Sequence, residues 1–267
     1  MLMDSPLKWV GSKRLLKRRI CQLIPPDHET YVEPFAGSAA VFFFKNSTRM
    51  KNLPKPSKLE VLNDIDTLLM NFYSIIQEHG TFERFMKRLE CSLVARDLFM
   101  LYRASEWQSL DPVEKAFRMY YIVKTAYGGL FRFNHEGKCN SPFASTPDKK
   151  ARSFLFKREP LVAAHDRLRG VVLHETDYKA IIEKYDGPRT FFYMDPPYET
   201  DYAYNKPFDH DKLTQVCEGI RGKFVLSLNA GFKEQFAQFD IEEVKVNYSV
   251  TCKSGDNAWA EIIAKNF

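Results

Sequence analysis

The chain has 267 residues, 45% of them hydrophobic and 27% charged, with 39 Lys and Arg against 34 Asp and Glu for a formal charge of +5. This balance excludes a disordered, collagen-like or mucin-like chain, and the length supports one large core without disulfides or a structural metal. The charge is uneven: residues 1–26 carry +5, residues 130–160 carry +4, and the remainder carries a net −4, so two basic segments sit on an acidic body and face either plain solvent or a polyanion such as nucleic acid.

Leu15, Leu16, Ile20 and Leu23 share one helical face and predict a helix over residues 12–23, stopped by Pro25 and Pro26. A strand over 30–33 then enters a turn of small residues, Pro34 to Ala40, and an apolar helix over 41–45. A second strand over 59–62 ends in Asn63-Asp64-Ile65-Asp66. Strand, turn, helix, strand and acid is the layout of a nucleotide-binding α/β half.

Residues 67–124 read as helices alone. Phe82, Phe85, Met86 and Leu89 follow the i, i+3, i+4, i+7 spacing, and Asp111-Pro112-Val113-Glu114 combines an N-cap acid with Pro and Glu in the first turn. Tyr127-Gly128-Gly129 closes that helix. The basic stretch 130–160, with Gly, Asn and three prolines, predicts a binding loop on a helical scaffold. Strands over 171–173, 190–194 and 223–228 then alternate with helices over 177–185 and 209–220. The runs 243–250 and 261–265 predict an antiparallel hairpin that closes the sheet.

The five cysteines (Cys21, Cys91, Cys139, Cys217 and Cys252) are far apart with no C-x-x-C pair, as expected of reduced thiols in a cytoplasmic protein. The six histidines lack metal-ligand spacing, so no metal is expected. The longest apolar run, Ala39 to Phe44, is too short for a bilayer, and the N-terminus lacks a signal-peptide core, so neither membrane nor export is expected.

The chemistry concentrates in Asp195-Pro196-Pro197-Tyr198, directly after the strand Phe191 to Met194. Two prolines hold the backbone extended and remove two N–H donors, so a carboxylate and a free carbonyl form an acceptor pair at the carboxyl end of a strand. An exocyclic amine offers two N–H donors to such a pair, and Tyr198 offers a flat face for a base. The plainer reading is a proline turn after a core strand. Around Glu33-Pro34-Phe35-Ala36-Gly37, small residues allow close approach of a ligand, and Asp64 is placed to accept from a ribose diol. The Gly-Lys-Ser/Thr of a P-loop is absent, which disfavours phosphoryl transfer.

Taken in order, these pieces resemble the Dam-type, D12 class family of DNA adenine-N6 methyltransferases over nearly the whole chain. The order is Leu7-Lys8-Trp9-Val10-Gly11-Ser12-Lys13, Glu33 to Gly37, Asn63 to Asp66, Gly129 to Asn134 with Gly137, Asn140 and Pro142, the Asp195 tetrad, and Ala260 to Phe267. The resemblance implies a Rossmann-like methyltransferase sheet, mostly parallel with a C-terminal antiparallel hairpin, interrupted by a helical target-recognition domain. The parts are then residues 1–66 and 161–267 for catalysis and 67–160 for recognition. It implies S-adenosyl-L-methionine held by Trp9, Lys13, Glu33, Phe35, Gly37, Asp64, Asp177 and Asp195. It implies methyl transfer at Asp195, Pro196, Pro197 and Tyr198, on a flipped adenine in duplex DNA at a GATC-like site.

Lys8, Leu130, Arg132, Asn134, Asn140 and Pro142 fall at the family's DNA-contacting positions, and residues 199–208 are a candidate lid over the base. A companion restriction nuclease is one context the resemblance allows. Departures from the family's usual residues occur at Ser12, Ala39, Asp66, Cys139 and Ser141. An RNA adenine methyltransferase, or an inactive DNA-binding module that keeps the fold, is the alternative.

Overall fold

The computed structural model describes residues 4–7, 9, 12–45, 57–134, 138–144, 157–197, 208–247 and 258–267. Its strands are β1 (Thr30–Glu33), β2 (Leu59–Asn63), β3 (Val172–His174), β4 (Thr190–Met194), β5 (Lys223–Asn229), β6 (Asp240–Asn247) and β7 (Ala258–Lys265). They form one sheet in the order β3-β2-β1-β4-β5-β7-β6. Strands β1 to β5 run parallel, and β7 runs antiparallel to both β5 and β6. The strand order reverses between β1 and β4, which opens a crevice at their carboxyl ends, where open α/β sheets bind ligands.

Every residue of β4 is buried, because the sheet is covered on both faces, and its sequence is apolar at each position but the first. Successive side chains feed opposite faces. Phe191 and Tyr193 join Tyr31, Leu62 and Val225 in one core, while Phe192 and Met194 join Val32, Val61 and Phe224 in the other.

The helices are α1 (Lys17–Leu23), α2 (Ala40–Lys45), α3 (Thr67–Gln77), α4 (His79–Glu90), α5 (Arg96–Arg103), α6 (Pro112–Thr125), α7 (Arg158–Leu168), α8 (Tyr178–Tyr185) and α9 (His210–Glu218). Helices α8 and α9 line the second core through Ile181, Ile182, Leu213 and Cys217. The first core runs without a break from the sheet into α3 to α7, where the rings of Phe72 and Tyr120 stack with centroids 5.8 Å apart. Asp111 caps α6 with Pro112 at its first position, as the sequence predicts, and Asp66, which the sequence reading did not single out as a cap, caps α3 by accepting from the N–H groups of Leu68 and Leu69.

The expected hairpin is present, but β6 and β7 each begin three residues earlier than the sequence predicts, and two helices differ more. The first helix begins at Lys17 and not at residue 12, because the preceding turn carries Lys13 inward to a buried position. Helix α7 was not expected, and the boundary after residue 160 falls inside it. Pro160 occupies its first turn, where a missing N–H breaks no intrahelical bond. Helix α7 is tied back to α3: His165 Nδ1 lies 2.7 Å from the Ile76 carbonyl, and Gln77 Nε2 donates to the Leu168 and Val171 carbonyls at 2.8 and 2.7 Å. Among the described residues, no helix is long and apolar enough to cross a membrane.

Candidate active site

Strand β4 delivers Asp195 to the crevice, followed by Pro196, which is buried, and Pro197, which is half-buried. One carboxylate oxygen, Oδ1, accepts from Lys13 Nζ at 2.8 Å and from Ser227 Oγ at 3.2 Å. Ser227 comes from the adjacent strand β5, and its Oγ lies 3.1 Å from the Tyr193 hydroxyl. Burial pushes the Asp195 carboxyl above its ordinary pKa, while the Lys13 ammonium and the Ser227 hydroxyl pull it down. Lys13 also lies 3.9 Å from Oε2 of the buried Glu261 on β7.

Lys13 reaches the site because the segment before α1 is pinned to the loop after β1, with Ser12 Oγ and Ser38 Oγ 2.7 Å apart. That loop is shaped by its backbone. Gly37 has φ +47° and Ala39 has φ +50°, both left-handed. A side chain at Gly37 would be strained and would meet Trp9 Cδ1 at 3.8 Å. Ala39 takes a conformation that glycine adopts more cheaply, at a cost of ~1 kcal/mol.

The loop is fixed from three directions. Gly37 N–H donates to Asp64 Oδ2 at 2.9 Å, the Tyr73 hydroxyl donates to the Gly37 carbonyl at 2.8 Å, and Ala36 N–H donates to the Asn63 carbonyl at 2.8 Å. Asp64 Oδ1 accepts from Asp66 N–H at 3.0 Å, and burial pushes this carboxyl up to about 6. Asn63 clamps the ends of β1 and β3 to β2: its Nδ2 donates to the Pro34 and Thr176 carbonyls, and its Oδ1 accepts from Thr176 N–H.

Glu33 lies beneath this loop. Its Oε1 accepts from the Tyr31 hydroxyl at 2.5 Å and from Phe42 N–H, in the first turn of α2, at 2.9 Å. The residue is fully buried, and burial pushes its carboxyl up to about 8. Phe35 packs against Tyr178 with ring centroids 5.0 Å apart and meets the edge of Phe208 at 5.6 Å. Asp177, which is exposed, caps α8 by accepting from Lys179 N–H at 2.9 Å.

Residues 130–134 and 138–144 run antiparallel as a finger, tied by the bridge Phe133 to Cys139 and, at its root, by Ala126 to Phe143. Phe131 is its anchor, buried against Trp107 at 5.6 Å and Phe133 at 5.3 Å, with Trp9 at 6.1 Å. Strand alternation turns the neighbouring Arg132 outward, where it is exposed. Asn134 Oδ1 accepts from Lys138 N–H at 2.9 Å across the finger's end. Leu130 and Pro142 are half-buried and Asn140 is exposed.

The structure thus joins Lys13 to Asp195, Gly37 to Asp64, and Trp9 to the finger. Asp177, Arg132 and Asn140 stand at the surface away from these contacts. Lys8 and Tyr198 lie outside the described residues, as does most of the candidate lid. Sequence reasoning missed Ser227, Tyr193 and Glu261. Only Glu261 left a signal, a lone acid within the apolar run Ala260 to Ala264. Among the described residues, no group of three His, Cys, Asp or Glu side chains is placed to hold a metal ion.

Residues 9–250 match the family described as D12 class N6 adenine-specific DNA methyltransferase. The type II methyltransferase M.CviBI of Paramecium bursaria Chlorella virus NC1A is 29% identical, over 85% of this chain and 84% of its own. M.MjaIII, a type II methyltransferase of Methanocaldococcus jannaschii, is 27% identical over 92% of each chain. The DNA adenine methylase of Escherichia coli K12 is 24% identical, over 93% of this chain and 90% of its own. Likeness to a solved putative methyltransferase of Streptococcus mutans in complex with SAH is slight, with a TM-score of 0.21 and 14% identity over 41% of this chain and 72% of that one. Since the match embraces the loop after β1, the finger and the Asp195 motif alike, the chain belongs to the D12 class of N6 adenine-specific DNA methyltransferases.

Proposed function

We propose that the protein transfers a methyl group from S-adenosylmethionine to N6 of an adenine extruded from duplex DNA, within a GATC-like site. The observation that carries this reading is the Asp195 carboxylate, held at the crevice by a buried ammonium and a buried hydroxyl and followed by two residues without N–H groups. The residues around the crevice fit S-adenosylmethionine. The left-handed Gly37 beside Trp9 allows close backbone approach, Phe35 and Tyr178 offer aromatic faces, and each Asp64 oxygen retains a lone pair beyond its backbone bond. When bound, the cofactor supplies an electrophilic methyl group on a sulfonium.

The chain's own residues do the rest. Adenine N6 is a poor nucleophile because its lone pair is delocalised into the ring, and it must leave the stack at a cost of a few kcal/mol. Asp195 and the Pro196 carbonyl accept its two N–H bonds and favour the tetrahedral nitrogen that attack requires, while Tyr198 stacks on the base. The finger presents Arg132 to base edges, and its aromatic root keeps that side chain in register. Relatives such as M.CviBI and M.MjaIII carry type II names, and the reading extends to a companion nuclease that cleaves the same site.

The test incubates purified protein with methyl-labelled cofactor and either duplex DNA or single-stranded RNA, then identifies the labelled nucleoside. N6-methyladenine in DNA supports the proposal, and label in RNA alone refutes it. Asp195→Ala is expected to stay folded and lose turnover; wild-type kcat in that variant would end the mechanism.

A further inference from the structure

We propose that Glu261 is a positioning residue for the Asp195 carboxylate, acting through Lys13, and that Ser227 and Tyr193 complete a support leaving Oδ2 as the oxygen that meets the substrate amine. The proposal rests on the reading of Asp195 as acceptor of the adenine amine. Both donors to Asp195, Lys13 Nζ at 2.8 Å and Ser227 Oγ at 3.2 Å, fall on Oδ1, and no donor among the described residues lies on Oδ2. A carboxylate held by one oxygen is fixed in orientation and keeps the other for an incoming N–H.

The sheet explains why these residues meet. Ser227 pairs with Ile263 and Asn229 with Glu261 across β5 and β7, so Glu261 lies on the same face as Ile263, two residues away. The side chains of Lys13 and Glu261 are only 2% and 4% exposed. Buried charges are held by opposite charges, and the Lys13 ammonium lies within ion-pair distance of the buried Glu261 carboxylate as well as of Asp195. Two acids sharing one ammonium leave Asp195 a stronger acceptor than Lys13 alone would allow. Among the described residues, the charged and titratable groups facing Asp195 are Lys13 from the N-terminal segment and Glu33 from β1, with Glu261 beyond Lys13 and Tyr193 beyond Ser227.

The experiment follows the Asp195 carboxyl by NMR in full-length protein labelled with 13C at aspartate and glutamate carboxyls, the resonance being identified by its loss in Asp195→Asn. Glu261→Gln removes a negative charge behind Lys13 and is expected to lower the Asp195 midpoint. Ser227→Ala removes a donor and is expected to raise it, each by ~0.5 pH unit or more. Tyr193→Phe shifts it in the Ser227→Ala direction by less. In steady-state assays, Glu261→Gln and Ser227→Ala lower kcat ~10-fold with little change in KM for DNA, as misplacement of a reacting group requires. Folded variants whose midpoints stay put, or move in the same direction, overturn the proposal. Should Glu261→Gln fail to fold, the wild-type protein decides: its Glu261 resonance must move with the Asp195 midpoint, and an unresponsive Glu261 overturns the proposal. Failure of the functional reading itself would show separately, as wild-type protein that does not methylate adenine.

Discussion

Glu33→Gln is expected to make the protein more stable at alkaline pH and to change little near pH 5. The carboxyl is fully buried beneath the loop after β1, and burial raises it from 4.5 to about 8. In the unfolded chain it loses its proton near pH 4.5, so between those values the folded protein holds a proton that the unfolded chain has released. The stabilisation is therefore complete below pH 4.5 and is lost as pH rises through about 8. At about 1.4 kcal/mol per pH unit, the loss across this window comes to roughly 3–5 kcal/mol.

Glutamine keeps a carbonyl oxygen for the Tyr31 hydroxyl and Phe42 N–H and has no proton to lose, so its stability curve lacks this fall. Urea unfolding of both proteins from pH 5 to 9 measures the difference directly, and the gap should widen in favour of Glu33→Gln up to about pH 8 and then level off. Parallel curves would refute the assignment of Glu33 as a buried, protonated anchor. Near-wild-type cofactor affinity at pH 7 is also expected, since the native carboxyl is already mostly neutral there. A marked loss would mean that Glu33 touches the ligand.

Asp64→Asn should weaken S-adenosylmethionine binding ~10-fold by calorimetry, because a charged acceptor for the ribose is lost; unchanged affinity would leave Asp64 only its bonds to Gly37 and Asp66. Arg132→Ala should cost ~1–3 kcal/mol of preference for guanine at one position of the site, read from methylation rates on singly substituted duplexes. Equal slowing on every duplex would make this exposed arginine a phosphate contact. Ala39→Gly should raise stability by about 1 kcal/mol by relieving the left-handed backbone, and a loss on thermal unfolding would contradict the strain at that residue.

What the sequence disclosed and what it hid divide along physical lines. Strand β4 was legible to the residue because a strand buried on both faces reads as one apolar run, and the prolines after Asp195 mark its end. The cap Asp111 was legible because it obeys a rule that spans three residues; Asp66 obeys the same rule but was read only as the end of a strand motif. Helix α7 was missed because Pro160 was taken for loop, although a first helical turn tolerates it. The same local rule would have found Asp177 as the cap of α8, a contact that the family resemblance overshadowed. Ser227 reaches Asp195 because β5 lies beside β4, Glu261 reaches Lys13 from β7 on the far side of β5, and Lys13 arrives from the segment pinned to the loop after β1; no spacing along the chain encodes these meetings. The inward turn of Glu33 toward Tyr31 and Phe42 is hidden for a similar reason.

The central claim is that this chain methylates adenine N6 in duplex DNA at a defined sequence. The most direct measurement incubates the protein and S-adenosylmethionine with a random duplex library and maps modified bases by sequencing. The expected result is N6-methyladenine confined to one short GATC-like motif, and absent when Asp195→Asn replaces the wild type. Methylation of cytosine, methylation without sequence preference, or an Asp195→Asn protein as active as the wild type would contradict the account.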